Sequence, residues 1–372
     1  MEKIKVLEVI RQGQIGGGES HLLNLVYFMD KERYELVCLS FTHGEMIRRL
    51  EEWGIKCYVI ESGKAFDFRV LCKVIRIIRD EKIQIIHAHG SRAASNILLP
   101  GKYLRLPIIY TVHGWSFHDD QSLIIKKLRV QSERIICHYA QKVICVSESN
   151  AETGRQQCGL KSPIVIENGI NMEQFDPKRT FPDLRAEFGF KEDDFIVGFV
   201  ARNTLQKAPL LYLEAIRIAH QRNSRVRALF VAEGELDIET DEFISRNGMA
   251  DYVFHSKFRT DIPAVLHSID VYCLPSLWEG LSIALLEAMA MEKAIVATPT
   301  DGTKELLVHE HNGLLIPFNN PTALADAILL FMENDSLKKV CETNARQLVC
   351  ERFNAQRVAD AVQTVYNSML IQ

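Results

Sequence analysis

The sequence alternates short apolar segments with helical segments along nearly its whole length, and this alternation most limits the possible folds. In the first half, strands are predicted at 5–10, 35–41, 56–60, 83–87, 108–112, 143–146 and 164–170. Helices are predicted from Glu19 onward and at 45–53, 68–80, 92–101, 123–140 and 148–158. Strands and helices that follow each other in turn through short loops are typical of a parallel sheet with helices on both faces. The fold class is therefore predicted to be α/β, with doubly wound sheets.

The alternation stops at a polar stretch, 171–182, which contains two prolines, and then begins again. Strands are predicted at 195–201, 227–231, 253–255, 271–274, 294–297 and 314–316, and helices at 210–221, 239–247, 262–267, 282–291, 322–334 and 337–350. An irregular polar stretch between two such series is typical of a domain linker. We expect domains at 1–170 and 171–353 that face a cleft. The last helix, in 354–372, is expected to pack back on the first domain.

Composition describes an ordinary globular protein. The chain is 47% hydrophobic and 25% charged, with a net charge of -4, so nothing in its overall charge favours nucleic acid as a partner. Nine cysteines occur without a Cys-x-x-Cys pair, which is typical of reduced thiols in the cytoplasm. No apolar run is long enough to span a bilayer. A cytoplasmic protein is expected.

A glycine-rich loop, 13–18, follows the first strand. A strand, a glycine loop and a helix in this order can hold a phosphate, because the backbone approaches the ligand closely. The spacing fits neither a dinucleotide fingerprint, since His21 stands at the last required position, nor a Walker loop. A tight turn without a ligand is the alternative.

Three histidines lie near the ends of predicted strands, where α/β sheets bind their ligands. His113 ends the apolar run 108–112 and precedes Gly114, so it is a candidate site residue. A structural role for His113 is about equally consistent with this position. His87 and His89 are interpreted as packing or loop-orienting residues. They are expected on opposite faces of their strand, so no metal pair is predicted.

The segment 270–290 contains a buried strand, a break at Pro275 and a helix that starts near Ser282. Ser282 can cap the helix, whose free N–H groups and dipole attract an anion such as phosphate. Glu287, on the second turn, can accept two hydrogen bonds from a ribose diol. Glu279, in the loop before the helix, can reach a second polyol. A core helix with two surface glutamates is the alternative interpretation.

Two cations follow the strand 195–201. Arg202 and Lys207 are candidates for binding a pyrophosphate, Arg202 as a fork and Lys207 as a point charge. Solvated surface cations are the alternative. The sequence contains no Asp-x-Asp, so the site is predicted to be metal-independent, with no cofactor.

The predicted helix 123–140 mixes apolar residues with Lys126, Lys127, Arg129 and Arg134. Such a helix can rest on anionic lipid. A core-packed helix with a solvated basic side is the preferred interpretation, because the cations are few.

Together these motifs resemble the retaining glycosyltransferases of family four, which have the GT-B fold of two Rossmann-like domains. The likeness covers nearly the whole chain. Asn171 stands where the family often has Asp, Ala208 where it commonly has Gly, and Asp301 where it has the first Gly of a turn. The matching segments are 16–19, 111–114, 146–148, 168–171, 202–207, 279–287 and 301–305.

The resemblance implies roles for individual residues. Glu287 would bind the ribose and Glu279 the transferred sugar, while Arg202 and Lys207 would hold the β-phosphate. His113 would contact the sugar near the reacting centre, and retention would follow front-face attack. The residues assigned to catalysis are His113, Glu279, Arg202 and Lys207, and those assigned to donor binding are Gly16, Gly17, Arg202, Lys207, Gly280, Leu281, Ser282, Ile283 and Glu287.

The function expected from the resemblance is transfer of a hexose from a nucleotide diphosphate, with UDP preferred, to a hydroxyl acceptor in cell-envelope or polysaccharide synthesis. A lipid-linked acceptor and peripheral contact with the inner face of the membrane are left open. A non-catalytic nucleotide-sugar-binding protein and a same-fold epimerase or phosphorylase are the alternatives.

Overall fold

The structure is a computed structural model that describes residues 3–118 and 121–370. The chain divides into two compact units, one of residues 1–169 and 355–372 and the other of residues 170–354. The ends of the predicted segments 1–170 and 354–372, at 1–2 and 371–372, lie outside the described residues. No described helix combines the length and the apolar character needed to cross a membrane.

The first unit is built on a parallel sheet of seven strands. The strand order is β3-β2-β1-β4-β5-β6-β7, with β4 at its centre. The predicted seventh strand is shorter than expected, because its pairing ends at Val165. The strands are β1 Ile4–Ile10, β2 Tyr34–Ser40, β3 Lys56–Val59, β4 Ile85–His89, β5 Ile108–Val112, β6 Lys142–Cys145 and β7 Ile164–Val165.

Helices cover both faces of this sheet. They are α1 Gly17–Phe28, α2 Glu45–Glu52, α3 Leu71–Asp80, α4 Ser91–Tyr103, α5 Leu123–Tyr139 and α6 Glu148–Thr153. Apolar residues of α3, α4 and α5 form the core on one face, and those of α1 and α2 form it on the other. Because successive strand residues point to opposite faces, Leu7 and Val9 enter the first core while Val6 and Ile10 enter the second.

The second unit repeats the design with a parallel sheet of six strands in the order β10-β9-β8-β11-β12-β13. The strands are β8 Phe195–Arg202, β9 Val226–Glu233, β10 Val253–Ser256, β11 Val271–Leu274, β12 Ala294–Ala297 and β13 Leu314–Leu315. The helices are α7 Leu184–Glu187, α8 Pro209–Arg222, α9 Asp237–Arg246, α10 Ile262–Ser268, α11 Ile283–Ala290, α12 Asp301–Leu306, α13 Pro321–Glu333 and α14 Asp335–Arg352. Two parallel sheets with crossover helices confirm the predicted doubly wound α/β class.

The last helix, α15 Ala355–Leu370, belongs to the first unit. Val358, Val362 and Val365 join the core that α1 and α2 form, so α15 covers the same face of the sheet. The phenolic hydroxyl of Tyr34 donates to Asn367 over 2.6 Å, which adds a polar tie to this packing. The chain therefore returns to its first unit after the second unit is complete.

Helix α5 differs from the preferred sequence interpretation. Its buried residues are Val130, Glu133, Ile136 and Cys137, whereas Leu123, Ile124, Ile125 and Leu128 are 47–77% exposed. Toward the N-terminal end of the helix, the position that faces the core is Lys126, which is half-buried, and not one of the apolar residues. The interpretation of a core-packed helix with a solvated basic side was therefore wrong for its first two turns, where the apolar residues are exposed as well.

Candidate active site

The second unit places most of the predicted site residues at the carboxyl edge of its sheet, after β8 and β11. Two backbone-mediated contacts join these loops. The Gln206 side chain donates to the carbonyl of Trp278 over 2.8 Å, and the Leu277 N–H donates to the carbonyl of Gln206 over 2.8 Å. The two loops are thereby held as one structural element.

Lys207 and Glu279 form an ion pair across these loops, and their side chains are 11% and 7% exposed. Taking both charges out of water is costly, and removing either partner leaves a buried charge unpaired. The pair is therefore a rigid part of the site, in which the Lys207 ammonium still has donor capacity for an anion.

Arg202 is the last residue of β8 and is exposed. Within the described part of the chain, its guanidinium has neither an ion-pair nor a hydrogen-bond partner. Its planar donors are thus available to a phosphate. Of the two predicted cations, only Lys207 is committed to an internal partner.

The loop from Lys207 into α8 contains a strained residue. Ala208 has φ 51° and ψ 53°, the left-handed region that costs a residue with a Cβ about 1 kcal/mol more than glycine. The family that the motifs resemble commonly has Gly at this position. The left-handed backbone explains that preference, because glycine has no Cβ to clash.

Helix α11 begins as predicted. The hydroxyl of Ser282 accepts a hydrogen bond from the Leu285 N–H, so Ser282 is the N-cap. Leu281 and Ile283 are 3% and 4% exposed, so their side chains pack in the core and only their backbone N–H groups could serve a ligand. An N-capped helix start with free N–H groups favours an anion.

Gly302 packs against the loop that precedes α11. A Cβ at Gly302 would lie 1.8 Å from the carbonyl oxygen of Gly280, so no other residue fits without movement of the backbone. The sequence predicted a turn at 301–305, but the structure has helix α12 there, capped by the Thr300 hydroxyl. Of the two glycines in the family's turn, this chain keeps Gly302, which is the one that the close contact requires.

Glu287 lies on the second turn of α11 and is partly buried. No described residue donates a hydrogen bond to its carboxylate. Burial raises the pKa of Glu287 to about 8. An unpaired, partly buried carboxyl in this position is suited to a ligand that brings its own donors.

The first unit holds Gly16, Gly17 and His113. Gly16 is the N-cap of α1, and Gly17 is the first residue of the helix, two positions earlier than predicted. A Cβ at Gly18 would lie 3.4 Å from the His113 ring, so the start of α1 closely approaches His113. The predicted site residues therefore fall into two groups. The glycine loop and His113 lie in the first unit, and Arg202, Lys207, Glu279 and Glu287 lie in the second.

Residues to which the sequence interpretation gave no ligand-binding role surround His113. The His89 Nδ1 lies 3.1 Å from the His113 Nε2, and the His21 ring centroid lies 4.8 Å from that of His113. Glu8 contacts His89 over 2.9 Å and Tyr366 over 2.6 Å. A charged residue within the apolar run of β1 was the available signal for Glu8.

The expectation that His87 and His89 point to opposite faces was wrong. Residues i and i+2 of a strand share a face, and the two ring centroids are 4.2 Å apart. The possible ligand atoms of Glu8, His87 and His89 all lie within 4.8 Å of one another, as do those of His21, His89 and His113. The prediction that His87 and His89 form no metal pair was based on opposite faces of the strand, so that argument does not hold.

Two family models match the chain. The model described as "Glycosyl transferases group 1" matches residues 180–348, and the model described as "Glycosyltransferase Family 4" matches residues 15–174. Each match falls almost wholly within one of the two units.

Two bacterial enzymes are similar over most of their length. UDP-Gal:alpha-D-GlcNAc-diphosphoundecaprenol alpha-1,3-galactosyltransferase of Escherichia coli is 27% identical, over 99% of this chain and 98% of that enzyme. N,N'-diacetylbacillosaminyl-diphospho-undecaprenol alpha-1,3-N-acetylgalactosaminyltransferase of Campylobacter jejuni subsp. jejuni is 28% identical, over 85% of this chain and 87% of that enzyme.

The crystal structure of Anabaena HepE in complex with UDP and glucose superposes with a TM-score of 0.86, at 22% identity, over 98% of this chain and 100% of HepE. That likeness shows the fold, which is GT-B. With both family models matched across residues 15–348, the chain belongs to the group 1 glycosyltransferases of family four.

Proposed function

We propose that this glycosyltransferase moves a hexose from UDP to a hydroxyl of a lipid-linked acceptor, with retention and without a metal ion, in the synthesis of a cell-envelope polysaccharide. The observation that carries the proposal is the buried Lys207–Glu279 pair beside the capped start of α11. An ammonium and free helix N–H groups together stabilise a diphosphate that gains charge as the sugar leaves. Arg202, exposed and unpaired among the described residues, would add a fork of donors to the same anion.

Glu279 has two tasks in this proposal. Its carboxylate orients the Lys207 ammonium, and its second oxygen is available to a sugar hydroxyl. Glu287 binds the ribose, and His113 contacts the transferred sugar. The loop 16–18 supplies backbone N–H groups, and a ligand can approach it at Gly17, where an added Cβ would meet no atom within 4 Å.

The names of the two enzymes similar to this chain support the nucleotide and the acceptor. One uses UDP-galactose, and both act on a sugar linked through diphosphate to undecaprenol. A lipid-linked acceptor requires the enzyme to work at a bilayer surface. The exposed first turns of α5 are suited to that contact.

The membrane surface proposed here consists of Leu123, Ile124, Ile125 and Leu128 with the exposed cations Lys127 and Arg129. The four apolar side chains are 47–77% exposed. No acidic residue occurs from 121 to 132, so the sequence of these turns carries only positive charge. Apolar side chains beside exposed cations favour an anionic lipid surface over a neutral one.

Replacing Lys207 by methionine tests the leaving-group site. Lys207→Met keeps the length of the side chain but removes the charge, and kcat/KM should fall about 100- to 1000-fold. Arg217→Met is the matched control, because it removes a cation from a half-exposed pair with Glu214 on α8. Initial rates of sugar transfer measure both. Wild-type kcat/KM in Lys207→Met would reject the assignment of Lys207 to the leaving group. If the wild-type protein bound UDP but neither transferred the sugar nor hydrolysed the donor, a non-catalytic binding protein would be favoured.

The raised pKa of Glu287, about 8, predicts a pH dependence of nucleotide binding. The ribose diol donates two hydrogens, so it favours the ionised carboxylate, and binding near neutral pH should release a proton. UDP affinity should therefore rise by up to about tenfold per pH unit below that pKa and level off above it. Calorimetry in buffers of different ionisation enthalpy measures the proton, and Glu287→Gln should abolish the dependence. An unchanged proton release in Glu287→Gln would assign it elsewhere.

Chelation tests the metal-independent mechanism. Cations of Arg202 and Lys207 replace the metal in the proposal, so transfer should continue at full rate in excess EDTA. The metal content of the purified protein is measured beside the rate, because the histidine cluster of the first unit could hold an ion. A rate that EDTA abolishes and Mg²⁺ restores would contradict the proposal.

Vesicle binding tests the membrane surface. The variant Ile124→Ser/Leu128→Ser should weaken sedimentation with anionic vesicles by about tenfold or more, since each buried apolar side chain contributes about 1.5–3 kcal/mol. Ile238→Ser is the control, because Ile238 is 73% exposed on α9 of the second unit. No loss in the double variant would show that α5 does not contact lipid. Equal binding to neutral vesicles would contradict the preference for anionic lipid.

A further inference from the structure

A polar stripe crosses the otherwise apolar face of the first sheet that α1 and α15 cover. Glu8 of β1 is in register with His87 of β4, and His89 is in register with Thr111 of β5. Glu8, His87, His89 and Thr111 are all 0–2% exposed. Four buried polar residues side by side are costly unless each one is hydrogen bonded.

One chain of hydrogen bonds satisfies the centre of this stripe. The Tyr366 hydroxyl of α15 donates to Glu8 Oε1 over 2.6 Å, and His89 Nε2 lies 2.9 Å from Glu8 Oε2. His89 Nδ1 lies 3.1 Å from His113 Nε2. A branch runs from Tyr366 to His87 Nδ1, at 2.6 Å, and from His87 Nε2 to Thr111, at 2.7 Å.

The charges in the chain follow from burial and from these contacts. Burial alone would raise the pKa of Glu8, but His87 and His89 lower it well below its usual range. Burial, followed by the nearby His87, lowers the pKa of His89 to about 4. Burial, followed by His21 and His89, lowers the pKa of His113 well below its usual value. At neutral pH the carboxylate is ionised and both imidazoles are neutral.

These charges give each hydrogen bond from Glu8 to His113 a direction. An ionised Glu8 only accepts, so His89 carries its proton on Nε2 and has a lone pair on Nδ1. His113 must then donate from Nε2 to that lone pair. The second nitrogen of His113, Nδ1, is left as an acceptor.

We propose that Glu8, acting through His89, is a positioning residue that holds His113 as its Nε2–H tautomer, so that His113 Nδ1 accepts a hydrogen bond from a sugar hydroxyl of the substrate. Tyr366 anchors Glu8 from α15. The assignment of the hydroxyl to the substrate rests on the proposed transferase function, whereas the tautomer does not.

Unpaired atoms point to this class of ligand. His113 Nδ1 and His21 Nε2 are buried and have no hydrogen-bond partner among the described residues. His21 Nδ1 is 3.0 Å from the Asn168 side-chain oxygen, so its proton lies on Nδ1 and its Nε2 is a second lone pair. Two adjacent lone pairs near an ionised glutamate match hydroxyl donors and disfavour a phosphate.

Nitrogen-15 histidine NMR tests the tautomer directly. In the wild-type protein, the His113 resonance, identified by its loss in His113→Asn, should show the proton on Nε2 and no titration from about pH 8 to about pH 5. A proton on Nδ1 would overturn the proposal. Histidine shifts that change on EDTA treatment would overturn it in favour of a metal ion bound by His21, His89 and His113.

Glu8→Met tests the positioning role, with Glu133→Met as its matched control. Methionine fills the volume without an acceptor, so both His113 tautomers should appear, and kcat should fall about tenfold to a hundredfold. UDP affinity should stay within about twofold, because the nucleotide is assigned to the other unit. Glu133 is equally buried and accepts hydrogen bonds from Ser91, Tyr110 and Ser116, away from the histidines.

Glu133→Met should keep the wild-type tautomer and kcat. An unchanged tautomer and kcat in Glu8→Met, or the same loss in both variants, would overturn the positioning role. If the protein transferred no sugar at all, the proposed function would fail while the tautomer measurement would still decide the inference.

Discussion

A charge buried in either unit has to be paired, and this constraint shapes both halves of the molecule. Each sheet is parallel and built into apolar cores, so its interior offers no water to an ionised group. Lys207 meets this constraint with Glu279, and Glu8 meets it with Tyr366 and His89. Groups left without a partner in such surroundings, such as Glu287, are therefore the ones that a ligand is expected to complete.

Much of the fold could be predicted from local pattern. Strand 108–112 was predicted with its observed bounds, and the final helix lies within the predicted segment 354–372, because apolar periodicity and flanking breaks define such elements. The capped start of α11 at Ser282 also followed from sequence, since an N-cap acts within three residues. The predicted starts of helices were wrong where glycines or a turn-like sequence belong to the helix. Gly17 joins α1 and Asp301 begins α12, although glycines and a turn-like sequence suggested loops.

The candidate site was only partly predictable, for two physical reasons. Lys207 and Glu279 were named as separate residues, but their pairing depends on hydrogen bonds between loops that are 72 residues apart in sequence. Tyr366 lies 358 residues from Glu8, so no local pattern could join them. His87 and His89 are different, because the two-residue period of a strand already places them on one face. Glu8 lies on the corresponding face of β1, opposite His87 of β4, so the three residues form one polar stripe across the sheet.

The candidate side chains of the two units offer opposite hydrogen-bonding chemistry to a ligand. The second unit offers donors, from Arg202, Lys207 and the start of α11, and these suit an anion. Around His113 the first unit offers acceptors, the lone pairs of His113 and His21, beside an ionised Glu8. A nucleotide sugar has both kinds of partner, because its diphosphate only accepts and its hexose carries hydroxyl donors. In the proposed function, the lone pairs of His113 and His21 therefore suit the hydroxyls of the hexose, whereas the cations of the second unit suit the diphosphate.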